Sequence, residues 1–190
     1  MKKTDASSGF TLVELAIVII VVGILASILI VGYRGTQERG RDSVRKQHVA
    51  QISEALSLYK LRKGNLIEEG SGCGQSGNGY GWFNYGGGST PTMSADANYS
   101  KSIASCLSEA GYLTEQIKDP SGVVAYHEAD QTPRQTYMKY NCIENDKTVA
   151  YVFAKLEKPN SPNAVQNSSI CAFAKERATA YGMNYFSKAE

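Results

Sequence analysis

Residues 10–31 read FTLVELAIVIIVVGILASILIV, 22 positions with a single charge, Glu14. A helix rises about 1.5 Å per residue, so this run spans roughly 33 Å, enough to cross the hydrocarbon core of a bilayer. The segment is expected to be membrane-inserted. A cleaved secretory signal would carry a small-x-small site after its apolar core, and none occurs between Gly23 and Thr36. Such a signal would also have no use for a carboxylate near its start. An ionised Glu near hydrocarbon is costly unless it finds a partner, and is by default a functional residue. No Lys, Arg or His lies within one helical turn of Glu14 in the segment. Its partner is therefore expected from elsewhere: another subunit, another chain, or a new amino terminus. The plainer reading is a carboxylate at the membrane interface, near a helix start whose dipole favours it.

The helical period continues past the apolar run. Val49, Ile52, Leu56 and Tyr59 recur at spacings of three and four, one apolar stripe on an otherwise polar helix, and Gly64 supplies a stop. Residues 10–63 are thus expected to form one helix, apolar all round in its first half and amphipathic in its second. Five basic residues, Arg34, Arg39, Arg41, Arg45 and Lys46, follow the apolar run and read as a solvated helix face. Only Lys2 and Lys3 precede it. A count of basic residues alone would place the N-terminus outside the cell.

Beyond the helix the chain looks like a small mixed domain. Residues 65–98 read as loop, with nine glycines between Gly70 and Gly88 interleaved with Tyr80, Trp82, Phe83 and Tyr85. A short helix is expected over residues 101–109, with Ile103 and Leu107 inward and Gly111 past its end. Strands are expected at 123–127, 136–143 and 149–157, the last two joined by a hairpin-length connection at 144–147. The tail from Ser169 offers either another strand or a short helix around 172–180.

Composition narrows the function. The 190 residues, 42% apolar and 20% charged, describe a foldable chain with a net charge of +2, too near neutrality for nucleic acid to be the main partner. Neither His48 nor His127 lies near a Ser or Cys in a recognisable nucleophile–base motif. No phosphate-cradling glycine pattern occurs. The polar run 160–167 lacks the carboxylates a hard cation needs. No enzyme activity, cofactor or metal is expected. Cys73, Cys106, Cys142 and Cys171 show no zinc-type spacing, and an even count beyond a hydrophobic anchor points to two disulfides in an oxidising compartment. Three pairings are possible; the sequential one, Cys73–Cys106 and Cys142–Cys171, is favoured. Each bridge would add about 3 kcal/mol in the chain-entropy view.

The residues SSGFTLVELAIVIIVVGILAS, 7–27, resemble the class III signal of type IV prepilins and their relatives, the pseudopilins. In that family a short basic leader ends in Gly, Phe begins the mature chain, and Glu stands fifth in it. The resemblance implies that Gly9 ends the leader, that Phe10 becomes an N-methylated amino terminus, and that Glu14 takes the assembly role. Gly23 falls where the family often has a helix-softening glycine. The family's usual proline some eight residues later is here Val31, with Gly32 and Gly35 after it. More loosely, AGYLTEQIKDPSG and YVFAKLE resemble pseudopilin-like heads, with Lys118, Asp119 and Pro120 at a K-D-P turn.

The resemblance implies an α+β fold: leader 1–9, removed; long helix 10–63; and a head, 64–190, with an antiparallel sheet. It further implies a major or minor pilin of a type IV pilus, serving adhesion or twitching motility, or alternatively a pseudopilin of a type II secretion or DNA-uptake system. The implied partners are other copies of itself, a prepilin peptidase, a membrane assembly platform and the lipid bilayer before assembly. A surface ligand belongs to the pilus reading and nucleic acid only to the DNA-uptake one. The implied location is the cytoplasmic membrane as precursor, then a surface filament.

Overall fold

The computed structural model describes residues 11–68, 70–74, 78–84, 101–113, 117–121, 125–126, 133–134, 137–159, 165–166 and 170–190, without the side chains of 28–32, 125–126 and 133–134. The fold is α+β, a long N-terminal helix followed by a small antiparallel sheet. The elements in order are α1 (Leu12–Lys63), β1 (Gly81–Trp82), α2 (Ile103–Glu109), β2 (Ala125–Tyr126), β3 (Pro133–Arg134), β4 (Tyr137–Glu144), β5 (Lys147–Ala154), α3 (Ala172–Ala180) and β6 (Tyr185–Ala189). The chain divides into two compact units, Met1–Arg39 and Gly40–Glu190. The second half of α1 therefore belongs to the same unit as the sheet.

α1 is helical over 52 residues, through Gly32 and Gly35. It stops at Gly64, whose φ of +84° suits a residue without Cβ and whose N–H closes on Lys60 O at 2.7 Å. α2 begins at Ile103 because Ser102 caps it, accepting from Ser105 N at 3.0 Å. Tyr112 N then returns to Leu107 O past a left-handed Gly111.

The main sheet runs β1-β4-β5-β6, all antiparallel. Asn145 and Asp146 both adopt positive φ, 50° and 60°, making the two-residue turn whose twist matches paired strands. Pairing consequently starts at Glu144↔Lys147, two residues before the expected start of β5. The tail takes both of its forms: α3, then β6 alongside β5. Asn184 fastens this return with its side-chain amide, accepting from Leu156 N at 2.7 Å and donating to Leu156 O at 2.9 Å.

The sheet is covered on both faces. On one, Tyr137, Ala150, Val152 and Ala154 pack with Val49, Ile52 and Leu56 of α1 and Ile103 and Leu107 of α2. On the other, Met138, Tyr140, Tyr151 and Phe153 pack with Ala174 and Ala178 of α3. Burial of both faces explains why YVFA in β5 is a continuous apolar run rather than an alternating one. Cys73 is bonded to Cys106, tying the loop after α1 to α2, and Cys142 to Cys171, tying β4 to the start of α3.

One close approach constrains the loop between α1 and β1. Gly79 has φ +68°, and a Cβ built there would lie 1.9 Å from Ile67 O. Gly79→Ala is expected to destabilise this unit by about 2 kcal/mol or more. Urea unfolding of the full chain in detergent, followed through its one tryptophan, Trp82, measures this; an unchanged midpoint would contradict the packing.

Candidate functional site

The start of α1 is a capping box. Thr11 is the N-cap residue and Glu14 the third helical position. Glu14 N donates to Thr11 Oγ1 at 3.2 Å, and Thr11 N donates to Glu14 Oε2 at 2.9 Å. Thr11 Oγ1 also donates to the same carboxylate oxygen at 2.7 Å. Two N–H groups that a helix end leaves without partners are thereby satisfied reciprocally. Thr11 of the same chain thus donates twice to Glu14. Its signal was present in the sequence as T-L-V-E, a Thr and a Glu three apart before an apolar run. Both donors are neutral, however. They solvate the carboxylate without cancelling its charge.

The residues following Glu14 make an unusual surface. From Leu12 to Leu25, eleven large apolar side chains are between 48% and 85% exposed. They lie on every side of the helix, since they occupy nearly consecutive positions. An apolar surface of this kind exceeds what monomeric soluble proteins leave to water, and marks contact with lipid or with other chains. Among the described residues no helix is long and apolar enough to cross a membrane. The described side chains of the apolar run end at Ser27, and the last four residues of that run, 28–31, lie beyond them. Gly23 has nothing within 4 Å of where a Cβ would sit, so packing within the chain does not require glycine there. Gly9 and Phe10 lie outside the described residues.

A second cluster of charges is built where α1 enters the sheet-bearing unit. The Arg45 side chain, 5% exposed, reaches Asp42 at 2.9 Å, Asp119 at 2.7 Å and Glu157 at 2.6 Å. Arg41 adds a two-pronged pair to Glu157, at 2.8 and 2.5 Å. Asp42 also accepts from the backbone N–H groups of Glu157 and Lys158 as the chain leaves β5. The K-D-P turn, whose Asp119 sits here, is thus an anchor for α1. Burial opposes the charge of Asp119, but the Arg45 guanidinium and Ser121 outweigh it and hold its pKa low. Hydrogen bonds from Arg41 and then Arg45, working against burial, hold Glu157 down to about 2.

Next to this cluster His48 Nδ1 and Tyr137 Oη share a hydrogen bond at 2.8 Å. Burial lowers the His48 pKa, with Asp119 opposing, and raises that of Tyr137. No group of three or more metal-ligating side chains occurs among the described residues. His127 lies outside them.

Residues 5–30 match the prokaryotic N-terminal methylation motif. The chain is similar to the type II secretion system core protein G of Escherichia coli strain K12, 34% identical over 61 residues, which is 32% of this chain and 42% of that protein. The corresponding protein of Vibrio cholerae is also 34% identical over 61 residues, with the same coverage, and that of Aeromonas hydrophila is 37% identical over 54 residues, 28% of this chain and 38% of the relative. The chain thus spans about two-fifths of the length of these curated relatives. No solved structure matches it.

The charged cluster makes two measurable demands. Arg45→Met leaves Asp42 and Asp119 buried without their cation, and is expected to cost about 3–5 kcal/mol in urea unfolding. Glu157 and Asp119 both have folded-state pKa values below their unfolded ones, so the folded state binds fewer protons. Their contribution is full above the ordinary carboxylate range near 4.5 and is lost as pH falls through that range, reaching about 2 for Glu157. Arg45→Met should therefore flatten the dependence of stability on pH between about 5 and 2; an unaltered slope would show that the pairs do not set it.

Proposed function

We propose that this chain, which belongs by its N-terminal segment to the type IV pilin and pseudopilin family, is a membrane-held subunit trimmed between Gly9 and Phe10 that polymerises through the first half of α1. The observation that carries this reading is the all-round apolar surface of α1 with one carboxylate at its start. Before assembly, lipid covers that surface; in a filament, the same surface of neighbouring copies does.

Trimming by a prepilin peptidase would leave a free amine on Phe10, one residue before the cap Thr11. That amine would supply the positive charge Thr11 lacks. The Glu14 carboxylate of a neighbouring copy would neutralise it, while an unpaired charge on either side would be expensive away from water. Pairing of this kind sets the register between subunits, since only one axial stagger brings the two groups together.

Of the two tasks such a filament performs, the relatives favour the pseudopilin one. Each is named as a core protein of type II secretion, and residues 5–30 carry the methylation motif. Membership of a secretion-type filament is accordingly the better-supported reading, ahead of the surface pilus expected from the sequence. A pilus subunit for adhesion or motility stands second, on the strength of a head with two disulfides, Cys73–Cys106 and Cys142–Cys171. Deleting the chain separates the two: loss of secreted proteins with surface fibres intact fits the first, and loss of fibres with secretion intact fits the second.

Mass analysis of the chain purified from cells tests processing. It should begin at N-methyl-Phe10, and Gly9→Val should leave it at Met1 in the membrane. A mature wild-type chain starting at Met1 would overturn the proposal. Glu14→Ala is expected to be processed normally and to reduce filament assembly at least tenfold by pelleting; undiminished filaments would show that the charge pair does not matter.

A further inference from the structure

The apolar run of α1 is closed at its far end by two side chains of a different kind. From residue 11 to 32 the chain has no aromatic residue, and from 15 to 33 it has no charge. Tyr33 and Arg34 are the first of each, and α1 runs through them as helix. Tyr33 is 65% exposed, and Arg34 is exposed beside it. Of the five basic residues that follow the run, the fold already engages three. Arg41 pairs with Glu157, Arg45 with Asp42 and Asp119, and the Lys46 amine lies 5.7 Å from the centre of the Tyr185 ring. Among the described residues Arg34 and Arg39 pair with no carboxylate.

The spacing of these residues matches a bilayer. From Thr11 to Tyr33 the helix rises about 33 Å, at about 1.5 Å per residue. The hydrocarbon core of a bilayer is about 30 Å thick. With the Thr11–Glu14 cap at one surface, Tyr33 reaches the opposite headgroup layer and Arg34 lies within it. Tyrosine suits this depth because its ring is apolar and its hydroxyl needs water or a polar partner. The Cα–Cβ bonds of a helix tilt toward its N-terminus, which here is toward the bilayer. Arg34 therefore leans its guanidinium back onto the lipid headgroups, and so does Arg39, roughly a turn and a half further out. A guanidinium meets a phosphate with two parallel N–H groups. Within the run the Ser27 hydroxyl does not compete for headgroups, because it donates to Ile24 O at 2.7 Å.

We propose that Tyr33 and Arg34, with Arg39 behind them, form a headgroup anchor that binds the phosphate of anionic phospholipids in the leaflet opposite the amino terminus. The anchor fixes the depth of the subunit in the bilayer before assembly. This rests on the membrane-held reading given above and adds the lipid that the far end of the span selects. Charge complementarity carries it. α1 leaves the hydrocarbon with two guanidinium groups unmatched by the chain, and the anionic headgroup is the counter-charge that lies at that depth.

The test uses the full chain in phosphatidylcholine bicelles, alone or with added phosphatidylglycerol, followed by NMR. A spin label on the lipid headgroup should broaden the Tyr33 ring resonances more than a label at the acyl-chain end does. Phosphatidylglycerol should shift the Arg34 Nε resonance, and inorganic phosphate at the same concentration should leave it unmoved. In Arg34→Gln the phosphatidylglycerol needed for half the shift of the Tyr33 amide should rise about fivefold. Added salt should weaken the wild-type response in the same direction. A Tyr33 ring broadened by neither label lies outside the bilayer, and overturns both this proposal and the membrane-held reading. A ring broadened more by the chain-end label overturns this proposal alone. So does an Arg34 that ignores phosphatidylglycerol or responds equally to inorganic phosphate.

Discussion

A helix that is apolar all round cannot be left in water, and the task of the first half of α1 follows from where that surface goes. Large side chains from Leu12 to Leu25 stand 48% to 85% exposed. Burying one such side chain is worth about 1.5–3 kcal/mol. Eleven of them constitute a driving force far beyond what a single helix can satisfy by itself. A bilayer can cover such a surface, and so can identical neighbours. Between those two environments the one charge, on Glu14, supplies direction. Thr11 satisfies its hydrogen-bonding needs within the chain but leaves its charge intact. The carboxylate is thus tolerable at a helix start near water and still in need of a cation once water is excluded.

The sheet-bearing unit answers a different constraint. Its sheet is sealed on both faces, by α1 and α2 on one side and α3 on the other, and two disulfides fasten a loop to α2 and β4 to α3. Asp42 and Arg45 of α1 lock onto the buried side chain of Asp119 and onto Glu157, whose side chain stays about a third exposed. Buried ion clusters of this kind contribute less to net stability than to fixing a single arrangement, because breaking one leaves uncompensated charge. Here the arrangement fixed is the docking of α1 on the turn at Asp119 and on the exit from β5.

Much of this was legible in the residues. The periodic stripe Val49, Ile52, Leu56 and Tyr59 identified the packed face of α1, and Gly64 its end. Ser102 explains why α2 starts two residues later than its polar flank suggested. The β4–β5 hairpin was visible, but its tightness was not, since an Asn-Asp turn with two left-handed residues is less distinctive than an Asn-Gly one. The tail was ambiguous because it contains both candidates in succession, and β6 is an edge strand of mixed burial with no clean alternation. At the candidate site the neutral partner at Thr11 left only the T-L-V-E spacing as its signal. The Arg45 cluster was out of reach for a simpler reason. Apart from Asp42, three positions from Arg45, it joins residues 74 to 116 positions apart, and long-range polar pairing leaves no local pattern.

On the proposed assembly, the Glu14 carboxylate exchanges its Thr11 cap for the amino terminus of a neighbouring copy. A map of filaments isolated from cells, at a resolution that places side chains, decides this. Expected is the Glu14 carboxylate of one subunit within ion-pair distance of the Phe10 nitrogen of the next, enclosed by apolar helices. A filament in which Glu14 faces open water, or in which the leader still precedes Phe10, would contradict it.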